Sequence, residues 1–272
     1  MSRTRFEQYS DLKSVPFKFY WKLRRTAEHA ENPANWHENL EIQYYNEGEG
    51  YVLLDGQRHS VNKGDLMVAN SNSIHFTGTN SEIRFSVIII DSQFCKDVDI
   101  DHTKLVFESV FQDENIVNIF NEIKEVKDSE DPCKTALYRM LALKLLIELR
   151  HHHLVEERKK YTEKASFKAV KDAVAYIQEH YAEKITLEQI AAAACISTRE
   201  CLRCFSGCIH QTPMEYLMEY RIGAACRLLE KTSLSVTRIA METGWGSSAY
   251  FSKIFRKFRG MTPKEYRQSV HA

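Results

Sequence analysis

The chain has 272 residues, and its 37 Lys+Arg balance 37 Asp+Glu to a formal net charge of zero. That length suits one large domain or two ordinary ones, and 43% hydrophobic with 27% charged residues excludes a disordered or fibrous chain. The zero sum hides an asymmetry: residues 1–165 carry 22 basic and 27 acidic groups, whereas residues 166–272 carry 15 basic and 10 acidic. A basic C-terminal third points to a polyanion partner.

The most apolar long stretch, 137–149, is cut by Arg139, Lys144 and Glu148, far from the roughly 20 apolar residues that a membrane span needs. Met1-Ser-Arg-Thr-Arg-Phe-Glu is not an apolar leader, so the expected location is the cytoplasm, with no membrane partner. Five of the seven cysteines lie between 195 and 226. In a reducing compartment they are expected to be thiols.

In chain order, Val15–Trp21 reads as a strand, and from 35 to 91 the texture is β, with short Val/Ile/Tyr/Phe runs broken by turn residues. Leu40–Tyr45 is one strand. Tyr51–Leu54 and Gln57–Val61 form a hairpin across Asp55-Gly56. Lys63-Gly64-Asp65 is a turn before Leu66–Ala69, and Arg84–Ile90 reads as a strand buried on both faces. Many short strands suggest a sandwich or barrel. Beyond about 104 the period becomes helical. Glu114–Val126 is one amphipathic helix, and a longer one starts at Asp131-Pro132 with Leu137, Leu141, Leu145 and Leu149 at i+4 spacing. His151–Lys160 is a polar linker candidate, and its three histidines read as a solvated helix end.

The C-terminal third contains a repeat. Aligning Ser197 with Ser247 pairs Phe205 with Phe255, Thr212-Pro213 with Thr262-Pro263, Glu215 with Glu265 and Tyr216 with Tyr266. Upstream, Ile190-Ala191 matches Ile239-Ala240 after a one-residue shift. Each copy reads as helix (Leu187–Ala194, Val236–Glu242), a tight turn at Cys195 or Gly244, and a second helix capped by Ser197 or Ser247. This is the helix-turn-helix pattern. A helix over Pro213–Leu229, roughly 25 Å long, could set two recognition helices about one turn of DNA apart.

Ile239-Ala-x-x-x-Gly244-Trp-x-Ser247-x-x-Tyr250-Phe251-x-x-x-Phe255-Arg-Lys-x-x-Gly260-x-Thr262-Pro263-x-x-Tyr266-Arg267 closely resembles the signature of AraC/XylS-type transcription regulators. The first copy and Tyr220-Arg221-x-x-x-Ala225-x-x-Leu228-Leu229 match it too, so the resemblance covers 166–272. Over roughly 30–91 the chain resembles, more weakly, the cupin-type sensor barrel of that family: Trp36-His37-x-x-x-Glu41 starts a strand, Gly48-x-Gly50 turns it, Gly64-Asp65 follows and His75 closes the pattern. The resemblance implies an α+β chain: a cupin-like barrel with an N-terminal arm (1–110), a helical dimerisation segment and linker (111–165), and an all-α DNA-binding domain with two helix-turn-helix motifs (166–272).

Comparing the two copies assigns faces. Cys201, Cys204 and Cys208 align with Phe251, Ile254 and Phe258 at i, i+3 and i+7, the buried side. The opposite side carries Thr198, Arg199, Leu202 and Arg203 in one copy, and Ser248, Ala249, Ser252 and Lys253 in the other. With the capping serines Ser197 and Ser247 these are the candidate DNA contacts. Arg and Lys can donate to guanine O6 and N7, and the resemblance puts Arg199, Arg203 and Lys253 where family members often contact bases. Arg256, Lys257 and Arg259 form a basic end suited to phosphate. The first copy has Ser206, Gly207 and Ile209 there, and His210 in place of the usual glycine.

Cys201-x-x-Cys204 has ligand-like spacing, but the second copy fills those positions with plain apolar groups, which favours core packing over a zinc or redox switch. His37 and Glu41, with His75, occupy three of the four positions that hold metal in catalytic cupins, and Asn35 stands at the fourth. They are read as effector contacts, with a structural role or a divalent metal as alternatives. Trp36, Tyr44 and Tyr51 could offer stacking surface, or be ordinary core. No cofactor and no metal are assigned.

The resulting expectation is a cytoplasmic, ligand-responsive, sequence-specific regulator binding double-stranded DNA as a homodimer. It would activate a catabolic operon through RNA polymerase in response to a small effector, by family analogy a sugar. The alternatives are a metal-dependent cupin enzyme carrying a DNA-binding domain and a cysteine-based redox or metal sensor.

Overall fold

A computed structural model describes residues 15–26, 35–158 and 164–271, which form two compact units divided near residue 162. The N-terminal arm and the tract 159–163 expected as linker lie outside the described residues.

The first unit begins with β1 (Phe17–Thr26), β2 (Leu40–Leu54), β3 (Gln57–Asn62), β4 (Leu66–Ala69), β5 (His75–Gly78) and β6 (Glu82–Ile90). Then come α1 (Ser92–Asp97), β7 (Leu105–Phe107), β8 (Val110–Phe111), α2 (Glu114–Asp128), α3 (Lys134–His152) and β9 (Leu154–Glu157). The main sheet runs β1-β6-β2-β4-β8, with β3 and β5 also on β2. The fold is antiparallel, as the short-strand texture implied.

β2 organises this unit. Its first half pairs with β6 and β4, its second half with β3 and β5. The glycines of Gly48-x-Gly50 suggest a turn in sequence. Instead the strand continues through a register shift between Tyr45 and Glu47 and so changes partners. Gly48 sits at φ 81°, and a Cβ there would meet the Glu82 carbonyl at 2.2 Å. The extra residue at this shift, Asn46, bends the strand without ending it, and the left-handed Gly48 follows, paired with Ile83. Asp55 and Gly56 both have positive φ, as a two-residue hairpin turn requires.

Alternation divides the core. On β6, Ile88 and Ile90 pack toward α2 and α3, whereas Ile83, Phe85, Val87 and Ile89 line the interior with Val52, Val61 and Met67. This is the strand buried on both faces that its unbroken apolar run predicted. Leu141, Leu145, Leu146 and Leu149 of α3 are buried with Ile116, Ile119, Phe120 and Ile123 of α2. The polar tract after Arg150 is not a linker in its described part: α3 reaches His152 and β9 pairs with β7. His153 is not solvated either. Its ring stacks on Phe111 at 3.7 Å and its Nε2 meets Asp113 Oδ2 at 2.8 Å.

The second unit is helical: α4 (Ala165–His180), α5 (Leu187–Ala193), α6 (Thr198–Ile209), α7 (Pro213–Lys231), α8 (Val236–Glu242), α9 (Ser248–Arg259) and α10 (Pro263–His271). Its boundaries follow local chemistry. Thr186 with Gln189 and Thr212 with Glu215 form capping boxes, and Thr262 with Glu265 makes the same reciprocal bonds before α10. The 19-residue α7 is about 28 Å long. None of the described helices is long and apolar enough to cross a membrane.

Candidate functional site

The two repeat copies fold alike. Cys195 and Gly244, at φ 55° and 77°, occupy the same left-handed turn position. Ile196 and Trp245 then donate backbone N–H to Ala191 and Ala240. Ser197 Oγ accepts from the Glu200 N–H at 3.2 Å and Ser247 Oγ from the Tyr250 N–H at 3.4 Å. Both hydroxyls are therefore engaged as N-caps, at the end of each helix that carries partial positive charge.

Cys201, Cys204 and Cys208 are buried, as are Phe251 and Phe255, with Ile254 and Phe258 packed against that core. Burial pushes the Cys201 thiol up to about 11 and the Cys204 thiol upward. That disfavours the thiolate a metal or oxidant would need. The opposite faces present Arg199, Leu202 and Arg203 on α6, and Ala249, Lys253, Arg256 and Lys257 on α9, all exposed. Thr198, Ser248 and Ser252 are half-exposed, and the Ser252 hydroxyl donates to the Ser248 carbonyl at 2.9 Å.

Two details were not legible in sequence. Arg203 is gripped by Glu200 through Nε at 2.8 Å and Nη2 at 2.5 Å, and the same contact holds the Glu200 carboxyl down to about 2. Arg259 departs from its expected phosphate role. It is 7% exposed, beside Cys226 in the core. An i, i+3, i+4 comparison could have found this, because Arg259 shares the buried side with Phe255. Tyr250, which the sequence reading passed over, is 51% exposed near the start of α9.

In the barrel, His37, Glu41 and His75 converge and all are buried. Glu41 Oε2 lies 3.0 Å from His37 Nε2 and 3.5 Å from His75 Nε2. Burial alone would raise the Glu41 carboxyl, but the charge of His75 and the contacts with both imidazoles hold it well below the usual carboxylate range. Burial opposes the charged form of His75, yet the neighbouring Glu41 charge raises it. The polar set continues inward: Gln43 Nε2 donates to Glu41 Oε1 at 2.7 Å, and Gln43 Oε1 accepts from Tyr45 Oη at 2.9 Å and Thr77 Oγ1 at 2.7 Å.

Gln43, Tyr45 and Thr77 were missed, although period-2 alternation from Glu41 along β2 and from His75 along β5 points to them. Two of the three aromatic candidates do not join this set. Tyr44 faces the other way, packed on Phe120 of α2 at 5.7 Å. Tyr51 lies against Phe76, with the Arg58 guanidinium 3.7 Å over its ring. Trp36 is buried. One residue of register moves a side chain to the opposite face of a sheet.

A small barrel with a buried polar set beside its apolar interior, joined to paired helix-turn-helix motifs, defines a transcription regulator with its own ligand-binding domain. Residues 20–144 match the family model described as AraC-like ligand binding domain, and residues 190–269 the model described as Helix-turn-helix domain. The chain belongs to the AraC-type DNA-binding transcription regulators. It is 25% identical over 252 residues to the uncharacterized HTH-type transcriptional regulator YdeC of Bacillus subtilis, covering 87% of this chain and 86% of that one. It is 24% identical over 255 residues to the HTH-type transcriptional activator RhaS of Escherichia fergusonii, covering 88% and 89%. Among solved structures, the DNA-binding domain of AdpA in complex with a target DNA is 31% identical, covers 38% of this chain and 94% of that chain, and has a TM-score of 0.37.

Proposed function

We propose that the chain is a cytoplasmic, effector-responsive activator of a catabolic operon, most consistent with a carbohydrate effector, and that it performs no catalytic step. The observation carrying this reading is the buried polar ladder Glu41-Gln43-Tyr45-Thr77 with His37 and His75. Its donors and acceptors alternate on one wall, which suits a hydroxyl-rich ligand better than an apolar one. An activator name among the relatives supports the same direction. α6 and α9 read base edges through Arg199, Arg203 and Lys253, while Arg256 and Lys257 neutralise phosphate.

Two chains associate through α3. Met140, Leu143 and Ile147 lie at i, i+3 and i+7 and remain exposed on the face away from its buried leucines. Dimerisation supplies two DNA-binding domains to tandem sites, where the bound protein contacts RNA polymerase.

A thermal-shift screen of the purified chain against sugars, sugar acids and aromatic acids tests the effector. One sugar class is expected to raise the melting temperature, because it binds only the folded state, and Gln43→Leu is expected to abolish that shift. A shift with aromatic acids alone would overturn the carbohydrate assignment.

A further inference from the structure

We propose that Glu200 is a second base-reading residue of α6 and accepts a hydrogen bond from the N4 amino group of a cytosine, within one base-pair step of the guanine taken by Arg203. The proposal rests on the reading of α6 as a base-contacting helix and adds a negatively charged reader to it.

The two repeat copies isolate the position. Aligned from their capping serines, Glu200 of α6 stands where Tyr250 stands in α9, and each donates its backbone N–H to its serine. Both lie in the first helical turn, the part of a recognition helix that reaches base edges. Tyr250 is 51% exposed there, and the Glu200 side chain is 40% exposed. A carboxylate therefore borders the DNA-facing side in the first motif, and a phenol in the second.

In the protein alone, Arg203 holds this carboxylate, donating from Nε to Oε2 at 2.8 Å and from Nη2 to Oε1 at 2.5 Å. The contact holds the carboxyl down to about 2, so the group is charged at neutral pH. An ion pair whose partners are this exposed is weak, and Arg203 gives it up for a guanine. The carboxylate then keeps the Cys204 thiol, a weak donor 3.5 Å from Oε1. An acceptor-only group left so in a closing interface lined by phosphates requires a donor.

The base edges decide which donor. Guanine and thymine present acceptors to the major groove and repel a carboxylate. Adenine offers its N6 amino group beside the N7 acceptor, whereas cytosine offers N4 with no acceptor of its own next to it. Glu200 thus selects cytosine, takes adenine less well and rejects guanine and thymine. The reach agrees. Residues i and i+3 lie about 4.5 Å apart along a helix, against about 3.4 Å per base step, so Glu200 and Arg203 span neighbouring base pairs.

The full-length protein and its Glu200→Ala, Glu200→Gln, Arg199→Ala and Arg203→Ala variants each select duplexes from a randomised DNA library. The wild type is expected to enrich a cytosine within one base-pair step of the guanine that Arg203→Ala ceases to select. Glu200→Ala should lose the cytosine and keep the guanine. Glu200→Gln should move the preference toward adenine, whose N6 and N7 both suit an amide. On defined duplexes read by fluorescence anisotropy, replacing that cytosine by guanine should weaken wild-type binding about tenfold or more, and Glu200→Ala binding by about twofold or less. A wild-type selection without the cytosine, or a cytosine that survives Glu200→Ala, overturns the proposal. Joint loss of cytosine and guanine in Glu200→Ala also overturns it, leaving Glu200 as a support for Arg203. Should Glu200→Ala fail to fold, the near-isosteric Glu200→Gln decides, and an unchanged cytosine preference there overturns the proposal. Selectivity lost in the arginine variants but kept in both Glu200 variants overturns this inference alone. Selectivity unchanged in all four variants removes α6 as the base reader, and this inference with it.

Discussion

Gly244 makes room for the guanidinium of Arg221. A Cβ at position 244 would stand 2.9 Å from Arg221 Nη2 and 2.6 Å from the Tyr181 carbonyl. Arg221 uses the space to donate to the carbonyls of Tyr181 at 2.7 Å and Glu183 at 2.6 Å, and its guanidinium lies 5.9 Å from the Trp245 ring centroid. One side chain of α7 thus ties the end of α4 to the turn of the second helix-turn-helix. Gly244→Ala adds a left-handed penalty of about 1–2 kcal/mol to a clash with backbone that cannot retreat, and should cost about 2–4 kcal/mol. Urea unfolding of the two proteins measures this, and a loss below 1 kcal/mol would show that the turn relaxes freely.

The first motif can be improved toward the second. Gly207 lies inside α6, where a Cβ would meet nothing within 4 Å. Gly207→Ala is expected to stabilise by about 1 kcal/mol, read as a rise in melting temperature. His210 holds φ 56° at the helix end where the second copy has Gly260 at φ 71°. His210→Gly relieves that strain but frees the unfolded chain, so its gain should be smaller than that of Gly207→Ala.

Burial separates the three basic groups at the end of α9. Arg256 and Lys257 are exposed, whereas Arg259 is 7% exposed. Replacing Arg256 and Lys257 by Ala should weaken DNA binding and reduce the slope of log affinity against log salt by about 2. Arg259→Ala should leave that slope unchanged and cost on the order of 2 kcal/mol of stability, through lost packing of its stem. Salt-dependent fluorescence anisotropy and thermal melts distinguish the two effects. Equal slopes for all variants would remove the phosphate role.

Asp113 caps α2, accepting from the N–H of Asn115 at 2.8 Å and Ile116 at 3.2 Å while its other oxygen meets His153 Nε2 at 2.8 Å. Burial alone would raise this carboxyl, but the His153 hydrogen bond and the two backbone N–H groups bring it below its ordinary value. A carboxyl lower in the folded than in the unfolded state stabilises fully above its unfolded value, near 3.9, and loses that contribution as pH falls through the folded value. Asp113→Asn keeps the cap but not the charge. Wild type should exceed it by about 1–2 kcal/mol at pH 6 and converge with it below about pH 3. An advantage unchanged at pH 2.5 would contradict the charged contact.

Bases are discriminated by α6 in the proposed mode, and Arg203 must leave Glu200 to do so. Arg199→Ala and Arg203→Ala should each cost about 1–3 kcal/mol on the preferred sequence and relax selectivity at one position. Glu200→Ala should change the affinity without lowering the stability of the helix-turn-helix core, since Glu200 and Arg203 meet on the exposed face. Binding to a randomised DNA library reads both outcomes. Selectivity unchanged in Arg199→Ala and Arg203→Ala would leave these groups as solvated charges.

The sequence alone determined the short-stranded β texture before residue 91, the helices from Glu114 and from Asp131, both helix-turn-helix copies and the buried cysteine face, but read 105–111 as helical where β7 and β8 stand. Each is written in local pattern: alternation, i+4 spacing, cap residues, and a repeat that compares the chain with itself. Tertiary structure decided the rest. It turned β2 through a bulge at Asn46 instead of ending it, put Tyr44 and Tyr51 away from the buried polar set, folded 154–157 back as a strand, and buried Arg259. It also brought His75 of β5 against Glu41 of β2 and clamped Arg203 on Glu200. Register, strand partner and ion pairing depend on residues distant in sequence or on competing rotamers, and a one-residue shift in a sheet reverses which face a side chain joins. Composition and local periodicity carry no term for those contacts.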